Sequence, residues 1–285
     1  MKKCAFLITF LILTNFAIFA FTWPQSDVTE NSFANYFGQK RGDSFCNSLV
    51  FQVPTEVVVA EEGAVLVVIG ENSGEMGWFA SPLGNSLILA HDDEMISVYG
   101  NMQTMDIDSS AKYLQTGRLV GTSGDSGWHN GQSGLEFQII DTQKDATINP
   151  LLLMPQIGFT QRIRIQGVSA VSRDGTEYDL RVRRTVPAGR YSLYFHRNET
   201  EHPYSTTVSI NGAAVETVTF DVLTKDKNML SVSGKRLFTA KDVYPKEQKQ
   251  LLAEISLAQG RNTINISAKS INGTETSLTY ILDVR

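Results

Sequence analysis

Cysteine is nearly absent from this chain: among 285 residues only Cys4 and Cys46 carry a thiol. Cys4 stands ahead of an apolar run, so a processed chain would keep Cys46 alone and could form no internal disulfide. An exported protein of this size without disulfides must rest on its hydrophobic cores, which suits a bacterial envelope better than a disulfide-rich secretion. Histidine is scarce too, with His91 and His129 the only two before residue 158. Basic residues are few in the same stretch, where 5 Lys and Arg face 17 Asp and Glu between Trp23 and Gly158. That balance excludes a nucleic-acid surface, whose affinity comes from cations neutralising phosphates. From Phe159 onward the sign reverses, 18 against 13, which places an expected domain boundary near residue 158. Beyond the N-terminal residues, no run is apolar enough to span a bilayer.

The N-terminus is the exception. "MKK" precedes "AFLITFLILTNFAIFAF", a basic head and an apolar run ending in small and aromatic residues, the pattern of a secretory signal peptide. Residues 1–22 are assigned to it, leaving a mature chain that starts near Trp23. Contact with a membrane is expected only through this segment, if it stays uncleaved.

Residues 45–140 hold short Val- and Ile-rich runs broken by glycine, among them "EVVVAEEGAVLVVIG" and "GLEFQIID". These predict strands and turns, with Gly63 expected in a tight turn, and the glycine-dense 113–134 predicts loops. "INPLLLMPQIG" closes the unit with two prolines. After it, "RIRIQG", "YDLRVRRTV", "GRYSLYFHRN", "STTVSING" and "ETVTFDVL" alternate with turn signals, the pattern of a β-sandwich. A brief helical turn is expected within "VYPKEQKQLLAEISL".

Five segments in order carry a resemblance: "NYFGQKRGDSFCNSLVF", "PTEVVVAEEGAVLVV", "GNSLILAHDDEMISVYGNM", "LQTGRLVGTSGDSG" and "GLEFQI…INPLLLM". Over roughly residues 33–153 the chain resembles the lysostaphin-type, or LytM-like, zinc metallopeptidases that cut peptidoglycan. The resemblance implies an antiparallel β domain with three zinc ligands and two catalytic histidines. Carried over residue by residue, the first ligand histidine is Cys46 and the ligand aspartate is Val50. Tyr99 is retained, and the histidine after it is Asn101. The His-x-His pair becomes Gly134 and Glu136.

Catalytic zinc needs three protein ligands and an open position. Val50 and Gly134 offer no donor. Without the metal, bound water keeps a pKa near 15.7 instead of about 7, and no histidine remains as general base. The expectation is therefore an all-β, catalytically inactive homologue with no catalytic residues, no metal and no cofactor. A LytM-like domain over 23–158 is followed by an immunoglobulin-like β-sandwich over 159–285. The vestigial cleft gathers Cys46, Val50, Tyr99, Asn101, Gly134 and Glu136, and His91, Trp128 and His129 are candidates to line a groove.

Each feature also has a plainer reading. Cys46 is either a nucleophile or a small apolar filler, and nothing adjacent in sequence activates it. "HDDEM" (91–95) lacks calcium-loop spacing, and "RGD" (41–43) is a tripeptide common by chance. "RVRR" (181–184) gives the sandwich either a basic face toward anionic polymers or lipid, or a solvated edge. The expected protein is exported to the periplasm or cell surface of a bacterium, where it binds cell-wall peptide or regulates a wall hydrolase. The alternatives are a structural adaptor that binds through its sandwich, and a zinc endopeptidase with a remodelled site.

Overall fold

The computed structural model describes residues 20–70, 81–108, 110–127, 132–160, 163–197 and 203–285. Most of the expected signal segment, and both Trp128 and His129, lie outside the described residues. The chain is nearly all β. Among the described residues the helical elements are single turns at Glu30–Ser32, Pro150–Leu152 and Ala240–Val243. None is long and apolar enough to cross a membrane.

Glu136–Asp141 is the axis of the first domain. It runs antiparallel along Met95–Met105 on one side, and on the other beside Leu49–Phe51 and then Ala146–Ile148. Register assigns the faces. Phe137 sits opposite both Tyr99 and Leu49, and all three enter one apolar core with Leu87, Leu89 and Ile139. Each such side chain contributes roughly 1.5–3 kcal/mol by leaving water. The period of two therefore sends Glu136, Gln138 and Val50 to the opposite face. Gly63 opens the strand Gly63–Ile69 rather than a turn; a Cβ there would lie 2.5 Å from the Ala90 carbonyl oxygen, so close strand approach demands glycine. Phe21, 1% exposed, belongs to the same core, and Thr22 bonds Ala60 through its backbone and hydroxyl. Two residues of the segment assigned to the signal peptide are thus built into the folded domain.

The second domain is a two-sheet sandwich. Glu177–Asp179, Gln166–Ser172, Gly189–His196 and Lys249–Leu257 form one sheet in that order. Thr185–Val186, Glu275–Val284, Gly260–Lys269, Ser205–Ile210 and Ala213–Thr219 form the other. Val168, Leu193, Ile255, Ile264 and Leu282 meet between them. The partition, with Thr185–Val186 parallel to the last strand, is that of an immunoglobulin sandwich.

The segment after Ala213–Thr219 leaves this pattern. Val222–Asp226 pairs with Ala146–Ile148 of the first domain, and Met229–Ser233 and Leu237–Thr239 extend the sheet further. "ETVTFDVL" accordingly splits between the sandwich and the first domain's sheet. The helical turn falls at Ala240–Val243, earlier than most of the expected stretch, because Thr239 and Asp242 form a capping box there. "KQLLAEISL" instead alternates and becomes a sandwich strand. The junction has its own core, where Phe37 and Phe45 of the first domain pack with Phe220, Leu223, Val232, Phe238 and Tyr244. The Tyr244 hydroxyl donates to the Gly38 carbonyl at 2.9 Å. Because Leu223 pairs with Val232 and lies opposite Thr147, this junction core occupies the same sheet face as Glu136 and Gln138.

Candidate functional site

The positions aligned with the metal ligands converge on that face. Glu136 lies directly opposite Val50 in the ladder. The hairpin Lys40–Arg41/Ser44–Phe45, turning through Gly42 at φ +60°, swings Arg41 over them. Arg41 Nη1 donates to Glu136 Oε1 at 2.9 Å. Ser48 Oγ donates to the same oxygen at 2.8 Å and Gln138 Nε2 at 3.3 Å. Asn47 in turn donates to Gln138 Oε1 at 3.4 Å. The Glu136 side chain is 6% exposed and that of Arg41 32%. Burial works against the guanidinium's charge, but the facing Glu136, with Cys46 beside it, raises its pKa above the ordinary value.

Cys46 is fully buried and its thiol points at Ser48, 3.4 Å from both the carbonyl and hydroxyl oxygens. Burial pushes the thiol's pKa up against the pull of Ser48 and Arg41, away from the thiolate that metal binding and nucleophilic attack require.

Asn101, at φ +62° and 1% exposed, is a loop brace. Its amide donates to the carbonyls of Gly124 at 2.6 Å and Gly134 at 2.7 Å, and its oxygen accepts from Gly127 N at 2.8 Å. Gly134 has φ +119°, and a Cβ there would lie 2.0 Å from the Phe51 carbonyl oxygen. This backbone has no room for a histidine, or for any side chain, at that position.

Tyr99 and His91 stand apart from the cleft. Tyr99 points into the first core behind the sheet, edge-on to Phe137, and its hydroxyl oxygen accepts from Ala60 N at 2.8 Å. Burial pushes its pKa up to about 12. His91 bonds the Glu62 carbonyl through Nδ1 and Ser97 Oγ through Nε2, each at 2.9 Å, with Phe21 on its ring. Since a carbonyl only accepts, Nδ1 carries the proton, and the imidazole is satisfied as a core residue. It lines no groove.

Zinc does not fit the residues at these positions. Val50 and Gly134 have no donor, the Cys46 thiol is disfavoured as thiolate, and Glu136 already holds a cation. A dication arriving about 4 Å from the guanidinium would meet a repulsion of about 8 kcal/mol at an effective dielectric near 20. Among the described residues no group of three His, Cys, Asp or Glu side chains is placed to hold a metal. Arg41, Ser48 and Gln138 were not singled out from the sequence as site residues. The available signal was Glu136 itself, because a carboxylate on a buried strand requires a cation.

Residues 45–150 match the family described as Peptidase family M23, and a separate family match covers residues 162–285. No curated protein matches the chain. Among solved structures, a zinc containing peptidase from Vibrio cholerae is 18% identical over 38% of this chain and 32% of that one, with a TM-score of 0.30. The chain thus spans less than a third of that relative. The catalytic domain of lysostaphin from Staphylococcus simulans is 18% identical over 39% of this chain and 82% of that one, with a TM-score of 0.30. A chain of the SpoIIIAH and SpoIIQ complex is 13% identical over 47% of this chain and 99% of that one, with a TM-score of 0.36. Residues 45–150 form a peptidase M23, LytM-like domain, and a second, C-terminal domain follows it.

Proposed function

We propose that the protein is a non-enzymatic component of a bacterial cell envelope, exported by its N-terminal segment. In this reading the peptidase-type domain is catalytically inactive and serves as a scaffold, and the sandwich is the binding module toward peptidoglycan or a wall hydrolase. The observation that carries it is the part-buried Arg41–Glu136 pair, formed at a position that the resemblance aligns with a metal ligand. A guanidinium cannot lower the pKa of a water as a Lewis acid does, nor accept its proton. The hairpin that carries Arg41 is packed against the second domain through Phe45 and the Lys40–Glu247 ion pair. This favours a fixed two-domain scaffold over an open groove.

The test is wall binding combined with wall cleavage. Purified protein incubated with peptidoglycan should sediment with it, or alter the rate of an added wall hydrolase, while releasing no peptide fragments itself. Trp128→Ala should leave that binding intact. Release of cross-bridge fragments would overturn the inactive reading, and loss of binding in the Trp128 variant would return the ligand to the cleft.

A further inference from the structure

The sandwich carries a cleft of about 620 Å³ on the outer face of its four-stranded sheet, at the end remote from the junction. Ser172 lies opposite Tyr191, and Arg190 opposite Ser256, so Arg173, in the turn that follows Gln166–Ser172, and Arg190, on the neighbouring strand, both line the cleft, with Ser192 and Ser256 on its floor. Both arginines are exposed. The acids nearby are committed elsewhere. Glu254, in the cleft wall, is held by Arg236 at 2.8 Å, and Asp174 bonds the Ser172 hydroxyl and Thr176 N within its own turn. Among the described residues, the cleft thus presents two guanidinium groups and serine hydroxyls with no carboxylate bonded to either arginine.

We propose that this cleft binds a phosphate ester. Two guanidinium forks lining one cleft, one from a turn and one from the next strand, favour an anion with acceptor oxygens in more than one direction. A tetrahedral phosphate supplies them, whereas a planar carboxylate satisfies one fork. Serine hydroxyls complete such a site, and the volume exceeds that of bare phosphate, leaving room for the alcohol it esterifies. A polyol phosphate and a phospholipid headgroup share this chemistry. The assignment deepens the reading of the sandwich as the binding module, and soluble probes test it separately from wall binding.

The experiment is NMR titration of the full chain with glycerol 3-phosphate and with inorganic phosphate, alongside sedimentation with phosphatidylglycerol and with phosphatidylcholine vesicles. Glycerol 3-phosphate should perturb amides of 171–173, 190–192 and 254–256, more weakly at high salt. Arg173→Gln and Arg190→Gln should each weaken binding about tenfold, one charge-assisted bond's worth, with Arg190→Lys retaining part of it. Binding confined to phosphatidylglycerol vesicles, and lost in the Gln variants, would support the site and assign it to a lipid headgroup. Because the N-terminal run carries Lys2 and Lys3, which favour anionic lipid by themselves, only the part of the phosphatidylglycerol binding that is lost in the Gln variants is read. No perturbation by any probe, or binding unchanged in the double Gln variant whose NMR spectrum is otherwise native, would overturn the proposal.

Discussion

Replacing Arg41 with alanine strips the cation from a carboxylate whose side chain is 6% exposed. Removing one partner of a buried pair costs about 3–5 kcal/mol, because the remaining charge is left uncompensated. Here Ser48 and Gln138 still donate to Glu136, and the Arg41 side chain is 32% exposed, so water already reaches it. The cost is therefore reduced to about 2–3 kcal/mol. For a chain of this length each kcal/mol moves the thermal midpoint by about 2–4 °C, so Arg41→Ala should fall by about 4–12 °C. Glu136→Gln should cost less, since it leaves a guanidinium that water already reaches instead of a buried carboxylate. The pair Arg41→Met with Glu136→Met should return to within about 1 kcal/mol of the parent, because neither charge is then stranded. Thermal denaturation followed by circular dichroism measures all three, and the single variants Arg41→Met and Glu136→Met complete a double-mutant cycle with their pair. Additive single effects, or an Arg41→Ala midpoint that does not move, would refute the reasoning.

Gly134→Ala should destabilise by more than about 2 kcal/mol, since it puts a Cβ against the Phe51 carbonyl in left-handed backbone; a thermal midpoint equal to the parent's would contradict this. In a Cys4→Ser background, Cys46 should not react with Ellman's reagent at mildly alkaline pH until the protein unfolds, because burial both covers the thiol and raises its pKa. Immediate colour release from native protein would refute that. Asp242 is pushed up by burial, but the Thr239 hydroxyl and Arg236 outweigh it and hold its pKa below the ordinary value. Its contribution is therefore present above the unfolded pKa, near 3.9, and lost as pH falls through the folded one. Asp242→Asn should lower the midpoint at neutral pH and flatten its decline below about pH 4, and an unchanged acid limb would count against the cap and ion pair.

The strands of both domains were legible because their period-two alternation is set by burial on one face, as at Phe137, Ile139 and Tyr99. The pairing of Val50 with Glu136 follows from the same alternation, which puts both on the face away from Phe137. The junction was not legible. "FDVLTKDKNMLSVSGKRLF" reads as further sandwich, since one strand pairs as well with a foreign sheet edge as with its own, and local pattern does not name the partner. Arg41 was hidden for a related reason: its role depends on a hairpin folding back 95 residues from Glu136. Tyr99 matched the family segment, but the parity that takes Glu136 to the cleft takes Phe137, and Tyr99 opposite it, to the core.

The most direct test of the central claim is the zinc content of the purified chain after dialysis against excess zinc and then buffer. The proposed inactive reading, in which Arg41 pairs with Glu136, predicts well under one zinc per chain, unchanged by Glu136→Ala. One zinc per chain, lost on Glu136→Ala, would contradict it.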